Sequence, residues 1–218
     1  MVTKNTRYLK NKRVLITAGP TWVPIDTVRV ISNIATGETG ILLAEKLQKL
    51  GARVTLLLGP VAACCLNKKI TVVRFKFFDE LKNSLTRELK TKKYDIIIHS
   101  AAVSDFRPQA RFKGKLESGK AHSFKLLPLP KIIHKIRRLA PESTLIPFKL
   151  ESAVSGAALI KEAKTFLSKV KGEFIVANTL YPYRAFLIDS AGNTVFTANN
   201  KIGLVKKLSR TLNSEPSN

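Results

Sequence analysis

Cysteine, acidic residues and long apolar runs are scarce in this 218-residue chain. The only cysteines, Cys64 and Cys65, are adjacent, and adjacent cysteines neither form an ordinary unstrained disulfide nor supply the spacing of a zinc site. No apolar run approaches the roughly 20 residues that cross a bilayer. The basic N-terminus leads into the strand-like VLIT rather than a signal-cleavage pattern. We therefore expect a cytoplasmic protein whose fold needs no disulfide, zinc or membrane.

Negative charge is also scarce. There are 38 Lys and Arg residues against 15 Asp and Glu residues, and the formal net charge is +23. Such a field attracts phosphates, acidic small molecules or nucleic acid without choosing among them. Nucleic-acid binding would be better supported by basic residues interleaved with exposed aromatics, or by a known binding module. The sequence has neither, so it does not favour nucleic acid as a partner.

Several catalytic motifs are missing. The P-loop, G-x-S-x-G and H-E-x-x-H patterns do not occur, and His99, His122 and His134 show no triad spacing with a nucleophile. An NAD(P)-dependent reductase needs three glycines within six residues and a Tyr-x-x-x-Lys pair on a helix beside the site. The only such pair, Tyr8 and Lys12, precedes the first strand. Hydrolytic and reductase chemistry are therefore disfavoured.

What the sequence does contain is a regular alternation of strand and helix patterns. Nearly continuous Val, Ile and Leu runs, typical of strands in a sheet covered on both faces, occur at 14–17, 53–59, 70–75, 94–102, 143–150 and 173–178. Amphipathic helical patterns occur at 40–50, 79–91, 130–140, 158–170 and 201–212. This predicts an α/β fold with a doubly wound, mostly parallel, Rossmann-like sheet.

Two segments depart from the alternation. Residues 105–128 contain a loop and the Gly-, Ser- and Lys-rich KGKLESGKAHSFKLL, which predicts a flap or extended hairpin. RAFLID, the turn SAGN and TVFTA predict an antiparallel hairpin near the C-terminus. With no repeat and no linker composition, we expect one domain over 1–218, with an N-terminal extension at 1–12 and a tail at 213–218.

Four strand ends supply candidate binding segments: AGPT, HSAAVSDF, PFKLES and ANT. In an open parallel sheet, ligands bind outside the carboxyl ends of the strands. Gly19 permits close backbone approach to a phosphate, although an ordinary tight turn also explains it. Gly37 and Gly40 open a helix that Thr36 is placed to cap, and its free amides suit an anion; a plain cap is the alternative.

Polar residues near these ends are further candidates. In the long segment between Gly19 and Gly37, Arg29 offers a planar fork for phosphate or carboxylate, and Asn33 offers a donor and an acceptor. Asp105 is an acceptor or a helix cap. Lys115, on the flap, brings a point charge to a phosphate. Taken alone, Arg29, Asn33 and Lys115 are explained more simply as solvated surface residues.

Read in order, TAGPTWVPIDTVRVISNIATGETG, HSAAVSDF, the lysine of GKLES, LPLPKII, FKLES and IVAN resemble the phosphopantothenate-cysteine ligase family, also called phosphopantothenoylcysteine synthetase, in its stand-alone form. The resemblance runs from residue 14 to about residue 212. It implies an enzyme that joins 4'-phosphopantothenate to L-cysteine through an acyl-nucleotidylate, using CTP or ATP with Mg²⁺ and releasing pyrophosphate and nucleoside monophosphate. It also implies a homodimer without flavin, served by a separate decarboxylase, and we expect no protein side chain to be a metal ligand.

The resemblance implies roles for named residues. The triphosphate would contact Gly19, Gly37 and Gly40. The nucleotide would lie along the backbone of Lys131, Ile132 and Ile133, with Phe148 and Asn178 near its base and sugar. Asn33 would hold the pantothenate carboxylate and the acyl-nucleotidylate, in a pocket completed by Ala101, Ala102 and Asp105. Arg29 would reach a substrate phosphate across the dimer interface. Lys115 would offset negative charge during activation.

Departures from the family pattern leave alternatives open. Ala35 stands where the family usually has Ser, Phe166 and Val170 fall where bacterial two-domain members carry lysines, and FKLES is typical of stand-alone and eukaryotic members. The choice between CTP and ATP therefore stays open. A basic nucleotide- or nucleic-acid-binding module on the same fold, without catalysis, is the alternative function.

Overall fold

The computed structural model describes residues 8–62, 66–152 and 155–214, so Cys64 and Cys65 lie outside the described residues. The described strands are β1 (Arg13–Ala18), β2 (Trp22–Pro24), β3 (Val30–Ser32), β4 (Arg53–Leu58), β5 (Thr71–Arg74), β6 (Ile96–His99), β7 (Phe106–Pro108), β8 (Leu126–Pro128), β9 (Thr144–Leu150), β10 (Phe174–Leu180), β11 (Tyr183–Asp189) and β12 (Thr194–Ala198). The described helices are α1 (Glu38–Lys49), α2 (Phe78–Thr91), α3 (Ile132–Leu139), α4 (Gly156–Val170) and α5 (Lys201–Asn213).

Eight strands form the central sheet in the order β12-β11-β10-β9-β6-β1-β4-β5. The pairs from β5 to β10 are parallel, and the last two pairs are antiparallel. The parallel strands follow the doubly wound order, in which the chain first builds outward from β1 through β4 and then returns to β6 on the other side. The predicted fold class is confirmed, and the topological switch point lies between β1 and β6.

Helices cover both faces of this sheet, which explains why its strands are apolar without alternation. On β1, Ile16 packs in the cluster that includes residues of α1 and α5, while its neighbour Leu15 packs in the cluster that includes residues of α2 and α3. Both side chains are fully buried. A third cluster joins α4 to β10 and β11. Across the described ranges, no helix has the length and apolar character that crossing a membrane requires.

The predicted antiparallel hairpin ends the sheet. β10 pairs antiparallel with β11, and β11 with β12. In the connecting turn, Asp189 accepts a hydrogen bond from the amide of Asn193 at 2.7 Å, and Gly192 has φ +84°. A left-handed residue in a tight turn favours glycine, so the SAGN segment has the residue that the turn requires.

Two small hairpins stand apart from the main sheet. β2 pairs with β3 inside the long segment after Gly19, and β7 pairs with β8. We call residues 109–125, between β7 and β8, the flap; its base is closed by a hydrogen bond from the amide of Gln109 to the carbonyl of Lys125 at 2.8 Å. β2 and β3 were not predicted from the sequence, because three-residue strands are too short to show an alternation of apolar and polar residues.

The two ends of the described chain meet. Leu9 is fully buried, although it falls in the expected N-terminal extension, and its amide donates to Oδ1 of Asn213 at 3.2 Å. Asn213 is the last residue of α5, so the expected tail begins inside that helix. α5 starts at Lys201, beside the carboxyl edge of the sheet.

Candidate active site

A cleft with a cavity volume of about 640 Å³ lies at the carboxyl ends of β1, β6, β9 and β10. This volume is within the range of small-molecule sites. Most of the predicted site residues line it: Gly19, Asn33, Gly37, Gly40, Ala101, Ala102, Asp105, Lys131, Ile132, Ile133, Phe148 and Asn178. The topology therefore brings these distant segments of the sequence to one place.

Two glycine loops meet at one side of the cleft. Gly19 follows β1 with φ +81°, and Gly37 precedes α1 with φ +70°. A Cβ on Gly37 would lie 3.2 Å from the backbone nitrogen of Gly19 and 3.0 Å from Cγ1 of Val61. The long segment between the two glycines therefore returns to its starting point, so the two loops together form one backbone surface.

The N-terminus of α1 opens into this surface. Gly37 is the N-cap and has no side-chain cap, while the hydroxyl of Thr36 accepts from the amide of Glu38 at 3.3 Å. The amides of Thr39 and Gly40 have no acceptor within the part of the chain that the structure describes. Unsatisfied amides at a helix N-terminus, together with the helix dipole, suit an anion such as a phosphate.

The loops after β1 and β6 are joined beneath the cleft. Ala102 donates its amide to Gly19 at 3.0 Å and accepts from the amide of Thr21 at 3.2 Å. The buried hydroxyl of Thr21 accepts from the amide of Ser104 at 2.9 Å, and the two hydroxyls lie 3.1 Å apart. These bonds satisfy buried polar groups and fix the floor of the cleft.

Asn33 follows β3 and lies over this floor. Its Nδ2 donates to the carbonyl of Ala102 at 3.0 Å. Because Nδ2 is held by the backbone, the side-chain oxygen and the second amide hydrogen remain for a ligand. The predicted neighbours Asn33 and Ala102 are thus in direct contact.

Asp105 and Lys131 form an ion pair at the rim. Nζ of Lys131 lies 2.6 Å from Oδ1 of Asp105, and both side chains are exposed. Lys131 is also the N-cap residue of α3, and its side chain makes no capping bond. Asp105 was predicted to lie in the substrate pocket and Lys131 along the nucleotide. The structure shows that the two residues are adjacent.

His99 lines the cleft at the end of β6, a position that the motif search did not select. Its Nδ1 lies 2.8 Å from Oγ1 of Thr17, and that hydroxyl accepts from the amide of Ala101 at 3.3 Å. The Thr17 hydroxyl therefore joins the imidazole to the backbone of the next loop, and the tautomer of the ring sets which of the two groups donates. Burial lowers the pKa of His99 to about 4, so the ring is neutral at physiological pH.

Three further residues of the cleft, Lys149, Tyr183 and Lys201, are brought near it only by the fold. Tyr183 lines the cleft, and burial followed by the charge of Glu38 raises its pKa to about 12. Lys201 pairs with Glu38 at 2.5 Å. Burial would lower the pKa of Lys149, but its hydrogen bond and charge interaction with Glu151 raise it. These shifts favour an ionised amine at Lys149 and a neutral phenol at Tyr183.

Arg29 and Lys115 do not line the cleft in this single chain. Nη1 of Arg29 lies 2.5 Å from Oδ2 of Asp26 and 3.3 Å from the carbonyl of Leu116 on the flap. Lys115 is exposed on the flap. Among the described residues, no group of three or more His, Cys, Asp or Glu is placed to hold a metal ion.

One family model matches nearly the whole length of this chain. The family model of the DNA/pantothenate metabolism flavoprotein C-terminal domain matches residues 9–214. The coenzyme A biosynthesis bifunctional protein CoaBC of Thermococcus kodakarensis is 37% identical over 174 residues, which cover 79% of this chain and 42% of that protein. The chain therefore spans less than half the length of this curated relative.

Solved structures share the fold. The DNA/pantothenate metabolism flavoprotein from Streptococcus pneumoniae superposes with a TM-score of 0.83 at 24% identity, covering 92% of this chain and 98% of that chain. A Cab2 mutant in complex with phosphopantothenate-cysteine superposes with a TM-score of 0.73 at 19% identity, covering 93% and 88%.

Proposed function

Because the chain belongs to the family of the DNA/pantothenate metabolism flavoprotein C-terminal domain, we propose that it is a phosphopantothenate-cysteine ligase of coenzyme A biosynthesis. It joins 4'-phosphopantothenate to L-cysteine, with CTP or ATP as cosubstrate. The pantothenate carboxylate attacks the α-phosphorus and releases pyrophosphate. The cysteine amine then attacks the acyl carbon and displaces the nucleoside monophosphate.

One observation carries the proposal: the glycine-edged anion surface and Asn33 line the same cleft. The triphosphate lies against the Gly19 and Gly37 loops and the N-terminus of α1, whose amides complement its charge. Asn33, held by the Ala102 carbonyl, directs its free amide groups at the carboxylate and at the acyl-nucleotidylate. Catalysis is then mainly positioning and electrostatic stabilisation of a charge that moves between oxygen atoms.

The residues of the cleft also indicate how Mg²⁺ would be bound. Its carboxylates Asp105 and Glu38 are each paired with a lysine, and Mg²⁺ in nucleotide sites is held largely by phosphate oxygens and water. A Mg²⁺–nucleotide complex therefore fits the cleft without a dedicated set of side-chain ligands. The ion would offset charge on the phosphates.

The assay for this function is pyrophosphate release. We expect purified protein with phosphopantothenate, cysteine and Mg²⁺ to release pyrophosphate with CTP or ATP, and a four-nucleotide comparison including GTP and UTP identifies the donor. Nucleotide or salt-sensitive RNA binding without release from any nucleotide would instead favour the basic binding module.

Asn33 and Lys115 provide the site test. Asn33→Ala and Lys115→Gln should lower kcat about a hundredfold while leaving the unfolding midpoint nearly unchanged, since a preorganised polar contact is lost. Lys120→Gln is the matched control on the flap, because Lys120 pairs with Glu117 and both side chains are exposed. Wild-type kcat in both site variants would contradict the assignment.

The proposed function also involves a second subunit and a second enzyme activity. A homodimer would bring Arg29 of one subunit to the substrate phosphate of the other. A decarboxylase would consume the product. The curated relative is described as bifunctional, which supports a second activity acting next to this one.

A further inference from the structure

Asp26 is an acidic residue that no motif identified, and it lies between the β2–β3 hairpin and the flap. It is 1% exposed. A buried carboxylate is costly unless charged or polar donors surround it. Four donors do so here: the amides of Val28, Arg29 and Leu116, and Nη1 of Arg29.

The two carboxylate oxygens have different partners. Oδ1 accepts from the amides of Val28 and Arg29 at 2.7 and 2.6 Å, which forms a local turn within the hairpin. Oδ2 accepts from Nη1 of Arg29 at 2.5 Å and from the amide of Leu116 at 3.0 Å. One oxygen therefore shapes the hairpin, whereas the other joins the hairpin to the flap.

Backbone bonds extend this junction to both sides of Lys115. The amide of Thr27 donates to the carbonyl of Gly114 at 3.2 Å, and the amide of Phe112 donates to the carbonyl of Ile25 at 3.0 Å. Lys115 thus lies between two flap residues, Gly114 and Leu116, that are both bound to the hairpin. Its exposed side chain extends from a fixed section of backbone.

We propose that Asp26 is a positioning residue that sets Arg29 and the Lys115 section of the flap relative to the cleft. This inference rests on the proposed function, which gives Arg29 and Lys115 their roles. Asp26 holds Arg29 by Nη1, and Nε and Nη2 of Arg29 have no acceptor among the described residues, so they remain for an anion. The hydrogen bond from Leu116, together with those from Val28 and Arg29, lowers the pKa of Asp26 despite its burial, and the carboxylate stays ionised.

Asp26→Asn separates the two roles. The side-chain oxygen of asparagine can still accept from the amides of Val28 and Arg29, but its NH₂ group cannot accept from Leu116 or Arg29. We expect the hairpin turn to persist while the flap is released. Trypsin should then cleave at Arg111, Lys113 or Lys115 at least about tenfold faster than in the wild-type protein, since local opening governs such cleavage. Asp95→Asn is the control, because Asp95 accepts from the Arg13 amide at the opposite edge of the sheet.

A kinetic cycle shows whether the junction acts through Lys115. Asp26→Asn should lower kcat about tenfold or more, as a misplaced catalytic group does. Combined with Lys115→Gln, it should lower kcat little further, because a lysine that is already lost cannot be misplaced, whereas the effect through Arg29 falls on the KM for phosphopantothenate. Unchanged flap cleavage, or effects on kcat that simply multiply, would overturn the proposal.

Two readouts keep this test independent of its premise. Flap cleavage and amide exchange can be measured whether or not the protein has ligase activity. If Asp26→Asn releases the flap but the wild-type protein releases no pyrophosphate, the proposed function is rejected and the junction is retained. Should Asp26→Asn fail to fold, exchange in the wild-type protein decides: the Leu116 amide must exchange more slowly than that of Glu117, which has no acceptor within the described chain. Equal exchange at the two positions would reject the junction.

Discussion

Gly37 is the residue at which backbone conformation and close packing coincide. Its φ of +70° is unfavourable for any side chain, and a Cβ there would press on Val61 and on the Gly19 backbone. Gly119, on the flap, has φ +82° but nothing within 4 Å of its Cβ position. Alanine substitutions at Gly37 and Gly119 therefore distinguish the cost of the backbone conformation from the cost of a steric clash.

We expect Gly37→Ala to lower the unfolding midpoint more than Gly119→Ala. Both substitutions should cost about 1 kcal/mol of unfolding free energy, because alanine is unfavourable in the left-handed backbone conformation. Only Gly37→Ala also adds a clash, at the surface formed by the Gly19 and Gly37 loops. The KM for the nucleotide should rise only in Gly37→Ala. Thermal denaturation and steady-state kinetics measure the two effects, and equal midpoints in the two variants would show that the glycine loops have room to move apart.

His99 makes stability depend on pH. An unfolded histidine takes up a proton near its ordinary pKa of 6.5, whereas burial keeps folded His99 neutral down to about pH 4. Between these values the unfolded state binds more protons, so the free energy of unfolding should fall as the pH is lowered through this window. In His99→Gln this contribution disappears. The gap between wild-type and variant unfolding midpoints should therefore shrink from pH 7 to pH 4, and parallel curves would refute the assignment.

Site residues could be predicted from the sequence where the backbone conformation or a family motif requires a particular residue type. Gly19 and Gly37 were recognisable because glycine is needed at close approaches, and Asn33 was recognisable from its place in the resemblance. His99 and Tyr183 were not, because their roles depend on a register that joins β6 to β1 and on the turn after β10. The family prediction is confirmed, while the individual residue roles stay predictions.

At the scale of elements, α5 has a defined start. Oδ1 of Asn200 accepts from the amide of Gly203 at 2.7 Å, which satisfies one of the free amides at the helix N-terminus.

Asn200→Ala should cost about 1 kcal/mol of unfolding free energy, and Asn200→Gly only a few tenths, since glycine leaves the amide open to water. Asn199→Ala, at the neighbouring exposed position, is the control and should be within about 0.5 kcal/mol of wild type. Urea denaturation measures all three. A loss in Asn199→Ala equal to that in Asn200→Ala would mean that the cap is not the cause.

Elements were predictable where a strand is buried on both faces. β1 and β6 are continuous apolar runs, because helices cover them on each side. β2, β3, β7 and β8 have three residues each, which is too few to show a period, and β3, β7 and β8 also include exposed side chains. Their pairing follows from contacts between distant segments, as between Asp26 and Leu116, which local sequence does not encode.

For the whole molecule, the exposed apolar residues near Arg29 support the proposed homodimer. Val28 is 66% exposed and Ile34 is 99% exposed. Exposed apolar side chains gathered in one region are typical of interaction surfaces.

We expect light scattering to give twice the 24.2 kDa mass of the chain. Val28→Asp should lower that mass toward the monomer by placing a charge at the interface. Ile202→Asp is the control, because Ile202 is a similarly exposed apolar residue, at 73%, that belongs to α5 and not to the hairpin. A monomeric wild-type protein at micromolar concentration would contradict the dimer, and loss of mass in both variants would place the interface elsewhere.

The meeting of Leu9 with Asn213 has a consequence for engineering. α5 has 13 residues and at 1.5 Å per residue carries the chain about 20 Å from the cleft before it ends. A short linker could therefore join residues 9 and 213 directly, and a circularly permuted chain could open at the Asp189–Asn193 turn instead. That turn lies at the amino end of β10, since Asp189 pairs with Phe174, so a reporter or second enzyme joined there would leave the substrate entrance clear.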